Sequence, residues 1–208
     1  MSQKPSGKNA VESLNFETFS PQELPFQDQL IDDVYNNWDY SLGVHEALLS
    51  GSVGSAKSVV MSHLAVRHCL EFNRAKICLC RMALPDLKET IFLKICEQIE
   101  GTGVRDFVSA INTSTAMIRF TNGSKIISRS FGDKNFTKVR SLDLSAAIFE
   151  ELIEFDDDAK QAYTEVKMRI GRIPGVPHKW IISATNPDEP GHWVYTDLIE
   201  KASDFFDA

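Results

Sequence analysis

After Pro25, the residues Phe26, Leu30, Val34 and Trp38 recur at four-residue steps, a spacing that predicts a helix. A short, mostly apolar run from Val44 to Leu49 predicts a strand. Met61, Leu64, Ala65, Cys69 and Phe72 then return to helical spacing, and Ala75 to Cys80 reads as a second, buried strand. Pro85 suits the first turn of a helix whose apolar face is Leu87, Ile91, Phe92, Ile95 and Ile99, with Gly101 and Gly103 ending it. Ala116 to Phe120 and Lys125 to Phe131 flank Asn122-Gly123, a strong hairpin signal. Leu142 to Phe149 predicts a third buried strand. Tyr163, Val166 and Ile170 mark a helix, Lys179 to Ala184 a fourth strand, and Trp193 to Ala202 a last helix. Strands alternating with helices predict an α/β fold with a mostly parallel central sheet, to which the hairpin is an antiparallel addition.

Composition adds limits. The chain has 208 residues, 43% of them hydrophobic and 25% charged, enough for one domain with a real core. Its formal net charge is −7, so any contact with nucleic acid must come from a local basic patch or from a domain not present here. The densest positive stretch is Lys125, Arg129, Lys134, Lys138 and Arg140, and an ordinary charged hairpin and loop is the favoured reading of it. The four cysteines, Cys69, Cys78, Cys80 and Cys96, lack zinc-ligand spacing and read as buried small hydrophobes in a reducing compartment. Residues 1–20 read as a flexible polar lead-in without a secretory apolar core, and residues 21–208 as the folded domain.

The candidate chemistry centres on Gly51, Ser52, Val53, Gly54, Ser55, Ala56, Lys57 and Ser58. This is a P-loop, Gly-x-x-x-x-Gly-Lys-Ser/Thr, with Ala56 in the second glycine position. A strand before it and a helix after it supply the required context. Small residues let backbone N–H groups curl around a phosphate, and the following helix adds its positive end. Lys57 is expected at the β- and γ-phosphates of ATP and Ser58 on Mg²⁺. About 90 residues later an apolar strand runs into Glu150 and Glu151. Glu150 is expected in the Mg²⁺ shell and Glu151 as the general base that activates water. Glu154 and the run Asp156 to Asp158 read as surface charge. The fourth strand ends in Ser183-Ala184-Thr185-Asn186-Pro187, which is either a simple Asn-Pro turn or, at the ligand-facing end of an open sheet, a γ-phosphate sensor at Thr185 and Asn186. Gln27 is either a surface helix residue or an adenine reader, since its amide both donates and accepts.

Taken in order, Pro25-Phe26-Gln27, the loop Gly51 to Ser58, Arg81 with Leu84 to Phe92, Phe120 to Ser130, Ile148 to Glu151, and Ser183 to Pro187 followed by His192 to Tyr195 resemble the N-terminal ATPase domain of phage large terminase subunits. That resemblance implies a RecA-like ATPase of the ASCE type. It implies ATP hydrolysis driving double-stranded viral DNA into a procapsid, with the portal, the small terminase subunit and a homo-oligomeric ring as partners in the host cytoplasm. The family's C-terminal nuclease domain is expected to be absent. Many members carry Arg at the third loop position, where this chain has Val53. Transition-state charge must then come from another arginine, and Arg81 is favoured over Arg140, Arg169 and Arg172. Another RecA-like DNA translocase or helicase-type ATPase is the alternative. A P-loop kinase-like protein fits the Glu150-Glu151 pair less well.

Overall fold

The computed structural model describes residues 24–51, 54, 56–186 and 191–201. Ser52, Val53, Ser55, Pro187 and the expected lead-in lie outside them. Seven strands form one sheet: β1 (His45–Ser50), β2 (Lys76–Arg81), β3 (Val108–Asn112), β4 (Met117–Phe120), β5 (Lys125–Ser130), β6 (Ala146–Phe149) and β7 (Trp180–Thr185). Their order is β1-β7-β6-β2-β5-β4-β3. The pairs from β1 through to β5 are parallel, and β5-β4-β3 is antiparallel.

The central strands β2, β6 and β7 are buried on both faces, which is why they read as continuous apolar runs, whereas β1 at the edge is only partly covered. Side chains alternate across the sheet. Ile77, Leu79, Ala146, Ile148, Trp180 and Ile182 belong to one core, and Cys78, Cys80, Ala147, Phe149 and Ile181 to the other. The first core is closed by α1 (Pro25–Asp32), by α2 (Lys57–Glu71), and by α3 (Leu84–Leu87), which passes through a π turn (Lys88–Phe92) into α4 (Leu93–Gly101). The second is closed by Phe131, Phe155, Trp193 and α5 (Lys160–Lys167). All four cysteines are free, and Cys96 alone is not fully buried.

Several expectations need correction. The first helix changes to a π turn (Asp33–Asn37), and Trp38 is already extended. The third strand begins at Ala146 rather than Leu142. Leu144 makes an isolated bridge with Ile170, and α5 accordingly ends before Ile170. The last helix runs as expected from Trp193 through Lys201 but is a π helix over Val194–Ile199, and Ala202 lies outside the described residues. β3 was not anticipated: most of it is solvent-exposed, and Val-Ser-Ala-Ile-Asn carries no clear period-two pattern. The hairpin turn is as expected. Gly123 adopts φ +87°, and Asn122 Nδ2 pins the turn to the end of α2 by donating to the Cys69 carbonyl at 2.8 Å.

The strand order brings distant segments together. β7 lies between β1 and β6, with Ser50 beside Thr185 and Phe149 beside Ser183. Residues just after these three strands therefore converge at one end of the sheet.

Candidate functional site

At that end lies an open cavity of about 510 Å³, lined by Gly54, Ala56, Lys57, Ser58, Arg81, Thr90, Glu150, Glu151 and Asn186 among others. The loop enters α2 through Ala56, which adopts a left-handed conformation at φ 59°, ψ 22°. That is a backbone state glycine takes at no steric cost, so the substitution in the motif is felt as strain. Lys57 Nζ donates to the Gly51 carbonyl at 2.6 Å and to Asn186 Oδ1 at 3.3 Å. Asn186 Nδ2 in turn donates to Glu151 Oε2 at 3.2 Å. One amide thus joins the loop lysine to the second glutamate. Glu151 is itself left-handed at φ 49°, ψ 58°, a strained turn of the kind that collects at functional sites.

Glu150 is only 4% exposed. Its Oε1 accepts from Ser58 Oγ at 3.4 Å. Its Oε2 accepts from Arg81 Nη1 at 3.3 Å and from Thr90 Oγ1. Burial raises the Glu150 carboxyl above the usual range, against the opposing pull of Thr90 and Arg81. Burial pulls the Arg81 guanidinium down, but Glu154 and Glu150 outweigh it and hold Arg81 above its ordinary value.

Ser58 and Glu150 offer two hard oxygens close together. Adjacent ligands of a Mg²⁺ ion with bonds of about 2.1 Å sit about 3 Å apart, so the pair fits that ion. Among the described residues no group of three or more His, Cys, Asp and Glu side chains could hold a metal.

The other candidates fall as follows. Gln27 is fully buried rather than a surface residue, and it touches the loop from outside the cavity, donating from Nε2 to the Ala56 carbonyl at 3.0 Å. Thr185 is buried beside the site, its Oγ1 donating to the Asn186 carbonyl at 3.2 Å. Glu154 is exposed but receives Arg81 at 3.0 Å. Arg140 pairs with Glu165 at 2.6 Å, and Arg169 lies 3.9 Å from the same carboxylate; neither lines the cavity. Most of the basic stretch is likewise engaged: Lys134 with Asp158, Lys138 with Asp133, and Arg129 with the Ser128 carbonyl. Thr90 was missed from sequence. Its only signal was a polar position beside the apolar stripe of its helix.

No curated protein matches the chain by sequence. Solved structures match its fold. The HK97 bacteriophage large terminase is 16% identical with a TM-score of 0.70, covering 97% of this chain and 42% of that one. A large terminase from a thermophilic bacteriophage, in complex with ADP, is 14% identical with a TM-score of 0.69, covering 86% and 43%. The large terminase ATPase domain of Thermus phage P74-26 is 16% identical with a TM-score of 0.58, covering 90% and 71%. The chain thus spans less than half the length of the first two. These likenesses fit the RecA-like ASCE arrangement in which β7 separates the P-loop strand from the acidic strand. The phage terminase large subunit family model matches residues 45–207, and the chain belongs to that family.

Proposed function

We propose that this domain hydrolyses ATP with Mg²⁺ and that the hydrolysis drives double-stranded viral DNA into a procapsid. Groups far apart in sequence (Lys57, Ser58, Glu150, Glu151 and Asn186) meet in one cavity at the end of the sheet, and this carries the reading. Backbone N–H groups of the loop and the start of α2 receive the phosphates. Lys57 exchanges the Gly51 carbonyl for the β- and γ-phosphates. Ser58 and Glu150 are the side chains that would hold the metal, which would neutralise charge on the transferring phosphoryl group. Glu151 takes the proton of the attacking water. Gln27 has Nε2 committed to Ala56, so Oε1, buried here without a hydrogen-bond partner, is the atom left for the adenine amine, and it must be uncovered to reach it.

Asn186 is the natural coupling residue, since loss of the γ-phosphate changes what Lys57 and Glu151 need and Asn186 is bonded to both. Thr185 carries that change into β7 through its bond to the Asn186 carbonyl. Portal, small terminase subunit and a ring of like subunits are the partners this function requires. Nuclease chemistry is not expected from these residues.

ATP turnover per subunit, measured with Mg²⁺ across a range of protein concentration, tests the reading. Glu151→Gln is expected to lower it at least 100-fold, the scale of a lost general base. Turnover that rises per subunit with concentration supports an arginine supplied by a neighbour. Turnover unchanged by Glu151→Gln refutes the assigned chemistry.

A further inference from the structure

Arg81 entered as a source of transition-state charge, yet its guanidinium is already engaged. Nη1 reaches Glu150 Oε2 at 3.3 Å, while Nη2 and Nε reach the two oxygens of Glu154 at 3.0 and 3.4 Å. Nη1 also donates to Thr90 Oγ1 at 3.0 Å. The Thr90 hydroxyl has one proton and two acceptors in reach, Glu150 Oε2 and the Asp86 carbonyl at 2.7 Å. The charged acceptor is the stronger of the two. Thr90 therefore receives from Arg81 and donates to Glu150, closing a three-membered relay around one oxygen.

Two features show that this relay is built. Thr90 sits in the π turn Lys88–Phe92 that interrupts an otherwise helical run. Such turns often mark functional sites, and of the three among the described residues this one lines the cavity. The relay also joins three separate elements: the end of β2, the turn after α3, and the segment following β6.

Left alone, a guanidinium and a carboxylate prefer two parallel hydrogen bonds. That arrangement would take both oxygens of Glu150. Here Glu154 occupies the fork of Arg81, and Thr90 adds a donor to Oε2. Arg81 is thereby limited to one oxygen, and Oε1 stays turned toward Ser58.

We infer that Thr90, Arg81 and Glu154 form a positioning clamp that presents a single oxygen of Glu150 to the metal. In this arrangement Arg81 orients a metal ligand rather than touching the reacting phosphate. The inference rests on the proposed ATPase reading.

Mn²⁺ serves as the probe. Its binding to the intact protein with ADP is followed by electron paramagnetic resonance, and metal-free binding of a fluorescent ADP analogue in chelator is measured beside it. Thr90→Val keeps the shape and removes the hydroxyl. It is expected to weaken Mn²⁺ binding by about 10- to 100-fold, the usual cost of losing a partner of a metal ligand. Metal-free nucleotide binding stays unchanged, and Thr90→Ser restores the metal affinity. Unaltered Mn²⁺ affinity in Thr90→Val overturns the clamp. So does a parallel loss of metal and nucleotide binding that Thr90→Ser fails to rescue, because that marks a general structural role. If the unaltered protein binds no Mn²⁺ with ADP, the ATPase reading itself falls and the clamp falls with it.

Discussion

His68 gives the domain a weakness to acid at the end of the sheet opposite the cavity. Its ring is fully buried, packed edge-on against Phe72 and Trp180. Nε2 lies 2.9 Å from Ser145 Oγ, and that hydroxyl is itself 3.1 Å from the Lys76 carbonyl. Ser145 Oγ donates to that carbonyl and accepts from the Lys76 N–H at 3.1 Å, and the tautomer that fits this pattern has His68 donating from Nε2 with the lone pair on Nδ1. Nδ1 is buried without a hydrogen-bond partner. Protonating it would bury a charge with nothing to receive it. Burial first, and the nearby His178 second, push the His68 pKa down to about 3. An unfolded histidine takes its proton near pH 6.5. Between these values the unfolded chain holds the extra proton, so stability falls as pH falls. The loss attributable to this group is about 2 kcal/mol from pH 7 to pH 5, and about 3 by pH 4. That is a large part of a typical total of about 5–15 kcal/mol. Urea unfolding at pH 7, 6 and 5 measures it, with His68→Gln as comparison because the glutamine Nε2 can still donate to Ser145. The unaltered protein is expected to lose about 2 kcal/mol more than the variant between pH 7 and pH 5. Parallel losses, within about 0.5 kcal/mol, would refute the buried-neutral histidine.

Two further predictions concern the loop. Ala56→Gly is expected to leave thermal stability nearly unchanged, because relief of about 1 kcal/mol at φ 59° is offset by the freer unfolded chain. Ala56→Val, branched at a positive φ, should cost at least 1 kcal/mol or so, and equal melting temperatures for the two variants would contradict the left-handed loop entry. Gln27→Ala removes one of two donors to the Ala56 carbonyl, which keeps the Val59 N–H at 3.2 Å, and should cost about 0.5–1.5 kcal/mol in unfolding. The same change should lower the preference for ATP over GTP about tenfold, since guanine presents a carbonyl where adenine presents its amine. A preference that does not move would leave Gln27 as a support of the loop alone.

How far the sequence reached depends on where each feature's cause lies. The central parallel strands were legible because burial on both faces forces apolar runs, as in Ile77 to Cys80 and Ala146 to Phe149. The meeting of Lys57, Ser58, Glu150 and Glu151 in one cavity was legible because the motif they resemble has a fixed order and spacing along the chain. β3 was not, because an exposed edge strand is specified by its hydrogen bonds to β4 and needs no apolar signature. The π turns were not, since they follow from packing rather than local preference. The environment of Arg81 was the least legible. From sequence Arg81 is the favoured source of transition-state charge; in the structure its partners include Glu154, which follows β6, and Thr90 in a turn after α3. A residue type names the chemistry a side chain can do; its partners decide which part is available. Arg81 has a full positive charge, yet with two carboxylates within 3.3 Å that charge is already matched. A stimulating arginine for the proposed ATPase should accordingly be sought away from the end of β2, in this chain or on a neighbouring subunit.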